Sequence, residues 1–295
     1  MPTFRHIHRT AVFLGTILAL SWTFSAPMAR ADDGVMHKLA DGVYVFRMNN
    51  RNSPVIVTSE GVLIMDSQND SVAKALKAEI AKLTDQPVKY VVYSHANTDH
   101  IRGADVFADT AQYIAQARQV PRLEYIKEAS FPMPDILFDK ELVLNMGGKT
   151  IKLLDFGLNH ATGVTVMYLP AEKIITTIDI VYVHRLAFYF MPDFNPRAWR
   201  DSLREIAKLD FDRAIVGHGA VTASKPEVVE FTDYLDDLLT QTAAVWRRTH
   251  MKGPHVGIAT AIREVNLDKY KSWGFYDKFR DLNIMAAYLS IDMGY

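Results

Sequence analysis

The stretch "YSHANTDH", Tyr93 to His100, places two histidines, an asparagine and an aspartate within six positions, directly after the apolar run "VKYVV". A β-branched run of this kind, preceded by the breaker Pro87, reads as a buried strand leading straight into His95. Strand ends are where a rigid scaffold passes the chain to loops that carry chemistry. The chain has no cysteine, so any metal must rest on nitrogen and oxygen donors. His95, Asn97, Asp99 and His100 are the first candidates for such a site.

Upstream, "GVYVFRM", "PVIVTS" and "GVLIMDS" are short β-branched or aromatic runs separated by Asn, Ser and Gly turn signals, the pattern of a strand meander. In "SVAKALKAEIAKL" the residues Val72, Leu76, Ile80 and Leu83 share one face at helical spacing. A further helix is expected near Ala117 to Lys127. Sheet dominates the middle of the chain, through "ELVLNM", "KTIKLLDF", "VTVMYLP" and "KIITTID". Pro196 suits the first turn of a helix that leads into the strand "RAIVG". The tail, about residues 225–295, reads as helical, with Val229, Tyr234, Leu235, Leu238 and Leu239 on its apolar face.

The first residues set Arg5 and Arg9 ahead of an apolar run of roughly 15 residues, short of the roughly 20 that span a bilayer, and "ARA" ends it at Ala31. This predicts a signal peptide over residues 1–31, cleaved after Ala31, and a periplasmic or secreted protein with no membrane anchor in its mature form. Residues 32–295 are expected to form a single domain. With 33 Lys plus Arg against 34 Asp plus Glu and a pI near 6.8, the chain lacks the basic excess that nucleic-acid binding requires. A small-molecule substrate is the expected partner, and the sequence is silent on oligomeric state.

Three more candidates sit at strand ends: His160 after "LLDFGLN", Asp179 closing "KIITTI", and His218 after "AIVG". Together with "YSHANTDHIRGADVF", these segments resemble the metallo-β-lactamase superfamily, whose signature is HxHxDH followed by single downstream His, Asp and His ligands. The resemblance implies an α+β fold, an αββα sandwich with metal along one edge of its two sheets. It implies that His95, position 97 and His160 hold one metal, that Asp99, His100 and His218 hold a second, and that Asp179 bridges them. Position 97 departs from the pattern. An asparagine amide is a weaker, uncharged donor, so Asn97 is either a weak ligand or an altered position that lowers the metal count.

The expected activity is that of a zinc-dependent metallo-hydrolase holding one or two ions. Zinc lowers the pKa of its bound water toward roughly 7 and stabilises the oxyanion formed from an ester, lactone, lactam or related bond. Asp99 is the candidate catalytic group, holding or deprotonating that water. One alternative is a mononuclear Fe2+ oxygenase of the same fold, because His95, His160 and Asp179 alone make two histidines and a carboxylate. Another is a non-catalytic binding protein with a decayed site. Asp66, closing "GVLIMDS", is a candidate for a hydrogen bond to a ligand. His184, Arg102 and Tyr189 are candidate substrate contacts, and the aromatic stretch containing Phe188 and Tyr189 is a candidate pocket wall.

Overall fold

Alternation along the strands decides the layering. In β4 (Gly61–Met65) every residue is buried, but its side chains part company. Val62 and Ile64 pack with Leu76 and Ile80, while Leu63 and Met65 pack with Ile151, Leu153, Met167 and Ile215. The period of two along a strand thus supplies one helix-facing and one sheet-facing surface. The second sheet repeats the device. Val166, Ile175 and Val216 face Trp199, Phe231 and Leu235, and their neighbours Met167, Ile174 and Ile215 face the first sheet.

The structure is a computed structural model that describes residues 34–188 and 195–294. The described residues all belong to one compact unit. The expected signal segment and its cleavage point lie outside the described residues, and so does Tyr189. Among the described residues no helix is long and apolar enough to cross a membrane.

The first sheet runs β1 (Val35–Ala40), β2 (Val43–Met48), β3 (Arg51–Thr58) and β4 as an antiparallel meander, then β5 (Val88–Val92), β6 (Gln112–Gln116) and β7 (Ile136–Phe138) in parallel. Parallel neighbours need crossovers. α1 (Asp70–Leu83) serves between β4 and β5, and α3 (Val120–Ile126) between β6 and β7; the short α2 (Thr98–Ile101) lies between β5 and β6. The second sheet has the order β13 (Thr222–Ser224), β12 (Arg213–Val216), β11 (Ile174–Thr177), β10 (Thr165–Leu169), β9 (Lys149–Asp155) and β8 (Glu141–Met146). Its single parallel pair, β11 with β12, is joined through α4 (Pro196–Ile206). Then α5 (Lys225–Thr249), α6 (Pro254–Glu264) and α7 (Tyr276–Asp292) cover the outer face of this sheet. The result is the expected αββα sandwich with a helical C-terminal segment.

Local expectations fail in instructive places. The helix expected over 117–127 begins as a 3-10 turn at Ala117–Gln119, and α3 starts only at Val120, with Pro121 in its first turn. Proline has no N–H to give, which suits a first turn and not a helix interior. Lys127, in the left-handed region at φ 44°, ends it. Leu83 and Val229 are exposed. Leu83 closes α1, and Val229 lies one residue, or about 100°, around the helix from the buried row Val228, Phe231, Leu235 and Leu238.

Candidate metal centre

Each sheet ends in an aspartate with left-handed backbone. Asp66 follows β4 with φ 62°, and Asp179 follows β11 with φ 57°. Aspartate tolerates this region better than most residues, and the turn swings each carboxylate off its strand. Both are buried.

Asp66 organises the first histidines. Its Oδ1 accepts the Ser94 N–H at 2.8 Å, and its Oδ2 accepts the Ser94 hydroxyl at 2.6 Å and lies 2.8 Å from Nδ1 of His100. The Ser94 hydroxyl, its proton committed to Asp66, lies 2.9 Å from Nδ1 of His95. Both rings thereby place a proton on Nδ1 and turn Nε2 toward the centre of the cluster. Neither Nε2 has a hydrogen-bond partner although both are buried. Histidines oriented by carboxylates and hydroxyls in this way are the usual support of a metal site.

Asp179 occupies the centre. Its Oδ2 lies 3.2 Å from His100 Nε2 and 3.7 Å from His160 Nε2, and its Oδ1 lies 3.3 Å from His218 Nε2. Two groups of donors converge within 4.8 Å: His95, His160 and Asp179, and separately Asp99, His100 and His218. All six expected ligands are therefore brought together. The buried, unpartnered His95 Nε2, His100 Nε2 and Asp179 Oδ1, in a cluster supplied by histidine and carboxylate alone, fit a divalent cation of the zinc type.

Charge is already balanced around this pair of groups. Burial opposes the Asp179 anion, yet the neighbouring His100 and His218 outweigh it and hold the carboxyl well below its usual range. Burial likewise opposes charge on His100, but Asp179 and Asp66 raise it well above the ordinary histidine value. His95 is pushed well down, first by burial and then by the neighbouring His100 and His160 rings, which disfavour a further positive charge. Burial, partly offset by Asp179, lowers His160 to about 4. His95 and His160 are thus neutral at pH 7, as ligands must be.

Asn97, half-buried, precedes α2, and its amide nitrogen is placed 3.4 Å from His160 Nε2. The amide faces the donor that a histidine would accompany in the full motif. Asp99 is shared, its Oδ2 3.3 Å from Arg51 and 3.8 Å from His100 Nε2, and Arg51 also donates to the Asp99 carbonyl at 2.7 Å.

The donors open into a cavity of about 360 Å³ lined also by Asn50, Arg51, Tyr182, Arg185, Phe188 and Phe275. Two of the expected substrate contacts do not line it. Arg102 forms a two-pronged pair with Glu128 at 2.5 and 2.6 Å, and His184 pairs with Glu230 at 3.2 Å. Phe188, from the aromatic stretch, does line it, and also meets Phe279 of α7 edge-on at 5.4 Å.

Several contributors escaped the sequence reading. Asn52 ties the two sheets together beneath the site, its amide donating to the carbonyls of Val216 and Ala220 at 2.7 Å each and its N–H to Gly217 at 3.0 Å. Trp199 of α4 sets its ring edge-on to His160 at 5.7 Å and donates to the Ile180 carbonyl at 2.9 Å. Gly217 leaves room for Asp179, since a Cβ there would overlap its Oδ1.

Residues 48–218 match the model of the metallo-beta-lactamase superfamily, and the chain belongs to that family. A metallo-beta-lactamase from Pontibacter korlensis shares the fold, with a TM-score of 0.62 and 17% identity over 69% of this chain and 99% of that one. Among curated relatives, the 2,4-dinitroanisole O-demethylase subunit alpha of Nocardioides sp. (strain JS1661) is 28% identical over 137 residues, 45% of this chain and 41% of its own length. The linear primary-alkylsulfatase of Pseudomonas sp. (strain ATCC 19151) is 38% identical over 60 residues, 20% of this chain and 11% of its own. The match thus spans less than half of either relative.

Proposed function

We propose that the protein is an exported, zinc-dependent hydrolase of a small molecule, acting in the periplasm or outside the cell. The observation that carries this reading is the position of Asp179, whose two oxygens face His100 and His160 on one side and His218 on the other. A carboxylate so placed suits a bridge between two adjacent ions, or a ligand to one. Bound zinc would supply Lewis acidity and an activated water.

The chain's own residues would supply the rest. His95, His160 and Asp179 would hold one ion; His100, His218 and Asp99 would hold a second or, with one ion bound, leave Asp99 to receive the proton of the attacking water. Arg51 keeps the Asp99 carboxylate against the donors. Tyr182, buried in the cavity wall, is held protonated by its burial and by Asp179, so it can donate but not act as a base. The names of the two curated relatives, an O-demethylase subunit and an alkylsulfatase, favour an oxygen-linked bond as the one cleaved.

A second reading rests on the buried group His95, His160 and Asp179. Two histidines and one carboxylate suit mononuclear ferrous iron and oxygen chemistry. The two are separated by assaying the zinc-loaded and iron-loaded chain on aryl esters with and without oxygen. Hydrolysis by the zinc form, abolished in both His100→Ala and Asp179→Ala, is the expected result. Oxygen consumption by the iron form alone would select the alternative.

A further inference from the structure

The cavity contains a second cation whose charge is answered by no acid among the described residues. Arg185 lines the same space as the donors, half-buried. Its guanidinium carbon lies 4.9 Å from the Tyr182 ring centre, 4.8 Å from Phe275 and 5.8 Å from Phe188. Among the described residues it makes no ion pair, and its buried Nε has no hydrogen-bond partner. Arg51 differs on this point, because its charge is spent on Asp99.

Ring faces hold a guanidinium by its π surface and leave the N–H edge unused. That edge is a planar fork suited to carboxylate, sulfate or phosphate oxygens. Its backbone is fixed independently of any ligand. Arg185 pairs with Gly274 in a parallel bridge, Gly274 donates to His184 at 2.8 Å, and Leu186 donates to Gly274 at 3.2 Å. Two residues on, the Ala187 carbonyl accepts from buried Asn283 of α7, whose amide oxygen accepts the Tyr234 hydroxyl of α5 at 2.6 Å.

Phe275 completes the arrangement. It stands in the left-handed region at φ 63° immediately before α7 and is 50% exposed, while Phe188 is 47% exposed. Two large apolar faces at the mouth of a charged cavity favour an occupant that is itself partly apolar. Phe275 also comes from the helical C-terminal segment, outside the matched residues 48–218. Phe275 thus adds to the wall from outside the family match, while Tyr182, Arg185 and Phe188 lie within it.

We infer that Arg185 is a specificity-determining residue that binds an anionic oxygen group of the substrate, with an apolar part of the same molecule lying on Phe188 and Phe275. The substrate class is then an organic anion carrying an alkyl or aryl portion. This rests on the hydrolase reading for its meaning but is tested separately, by binding.

The experiment titrates the zinc-loaded full chain calorimetrically with octanoate and with 1-octanol, for the wild type, Arg185→Leu and Arg185→Lys. The wild type is expected to prefer octanoate. Arg185→Leu should lose about tenfold or more of the octanoate affinity, as expected for a charge-assisted hydrogen bond, and Arg185→Lys should recover part of it. Equal octanoate affinity in the wild type and Arg185→Leu would place the carboxylate elsewhere, on the metal or on Arg51, and overturn the inference. So would a wild type that binds octanoate no better than octanol. If Arg185→Leu misfolds by circular dichroism, Arg185→Lys decides, since keeping the charge while losing the planar fork should still weaken octanoate measurably. Octanoate binding that depends on Arg185 in a chain hydrolysing no ester would remove the hydrolase reading and leave this one. Ester hydrolysis with no preference for anionic substrates would do the reverse.

Discussion

The Oδ2 atom of Asp66 lies 2.8 Å from Nδ1 of His100, and through the Ser94 hydroxyl the same oxygen fixes His95. One buried carboxylate thus orients two adjacent candidate ligands, one from each donor group. Asp66→Asn keeps the left-handed backbone, which asparagine also tolerates, but loses the charge that fixes both protons. Zinc affinity should fall about 10- to 100-fold with little change in circular dichroism. A chelator competition titration reads this, and unchanged affinity would mean that the histidines orient themselves.

Gly217 and Asp179 make a second such pair. Any Cβ at Gly217 would occupy the place of Asp179 Oδ1, and the Gly217 carbonyl accepts the Asn52 N–H at 3.0 Å. Gly217→Ala is therefore expected to displace the central carboxylate while the strands on either side persist. Loss of metal binding at near-native secondary structure, followed by chelator competition and circular dichroism, is the expected outcome. Full retention would show that Asp179 has room that its present contacts do not reveal.

Asn97 stands where the family motif has histidine, with its amide against His160. Asn97→His should add an imidazole to the group of His95 and His160 and tighten or add one ion. Metal-to-protein ratios after dialysis, compared between the two proteins, measure it. A ratio and affinity identical to the wild type would mean that position 97 is not aimed at the metal.

The helical segment has its own pH-dependent anchor. At the start of α5 the Ser224 hydroxyl accepts the Glu227 N–H, and the Glu227 side chain accepts from the Ser224 N–H and hydroxyl at 2.7 Å each. Burial opposes the Glu227 anion, but the two Ser224 donors outweigh it and lower its pKa below the ordinary 4.5. A lowered folded-state pKa means stability that is present above the unfolded value and lost as pH falls through the folded one. The stability difference between wild type and Glu227→Gln should accordingly be largest near neutrality and vanish in acid below the folded pKa. Ser224→Ala should cost about 1 kcal/mol. Denaturant midpoints at several pH values test both.

What the sequence revealed of the fold and the site depended on distance along the chain. The strand running into His95 and the apolar faces of α1 and α5 are local patterns, and the exceptions, Leu83 and Val229, lie at the end and the margin of those faces. Strand ends marked the six candidate donors, and the resemblance to the family motif supplied their assignment as ligands. Asn52 could not, because its partner Val216 is 164 residues away and a turn asparagine and a sheet-joining one look alike in sequence. The place of Arg102 beside the motif suggests a substrate contact, but Glu128 lies within reach and takes its charge. Arg185 and Phe275 are brought together only when the segment after Asp179 docks on Gly274.

The central claim is a metal centre built around Asp179. Its most direct test is elemental analysis of the full chain, reconstituted with zinc and iron in separate samples and dialysed against metal-free buffer, alongside Asp179→Ala. The account predicts at least one equivalent of zinc retained by the wild type and lost from the variant. No retained zinc, or the same amount in both proteins, would contradict it.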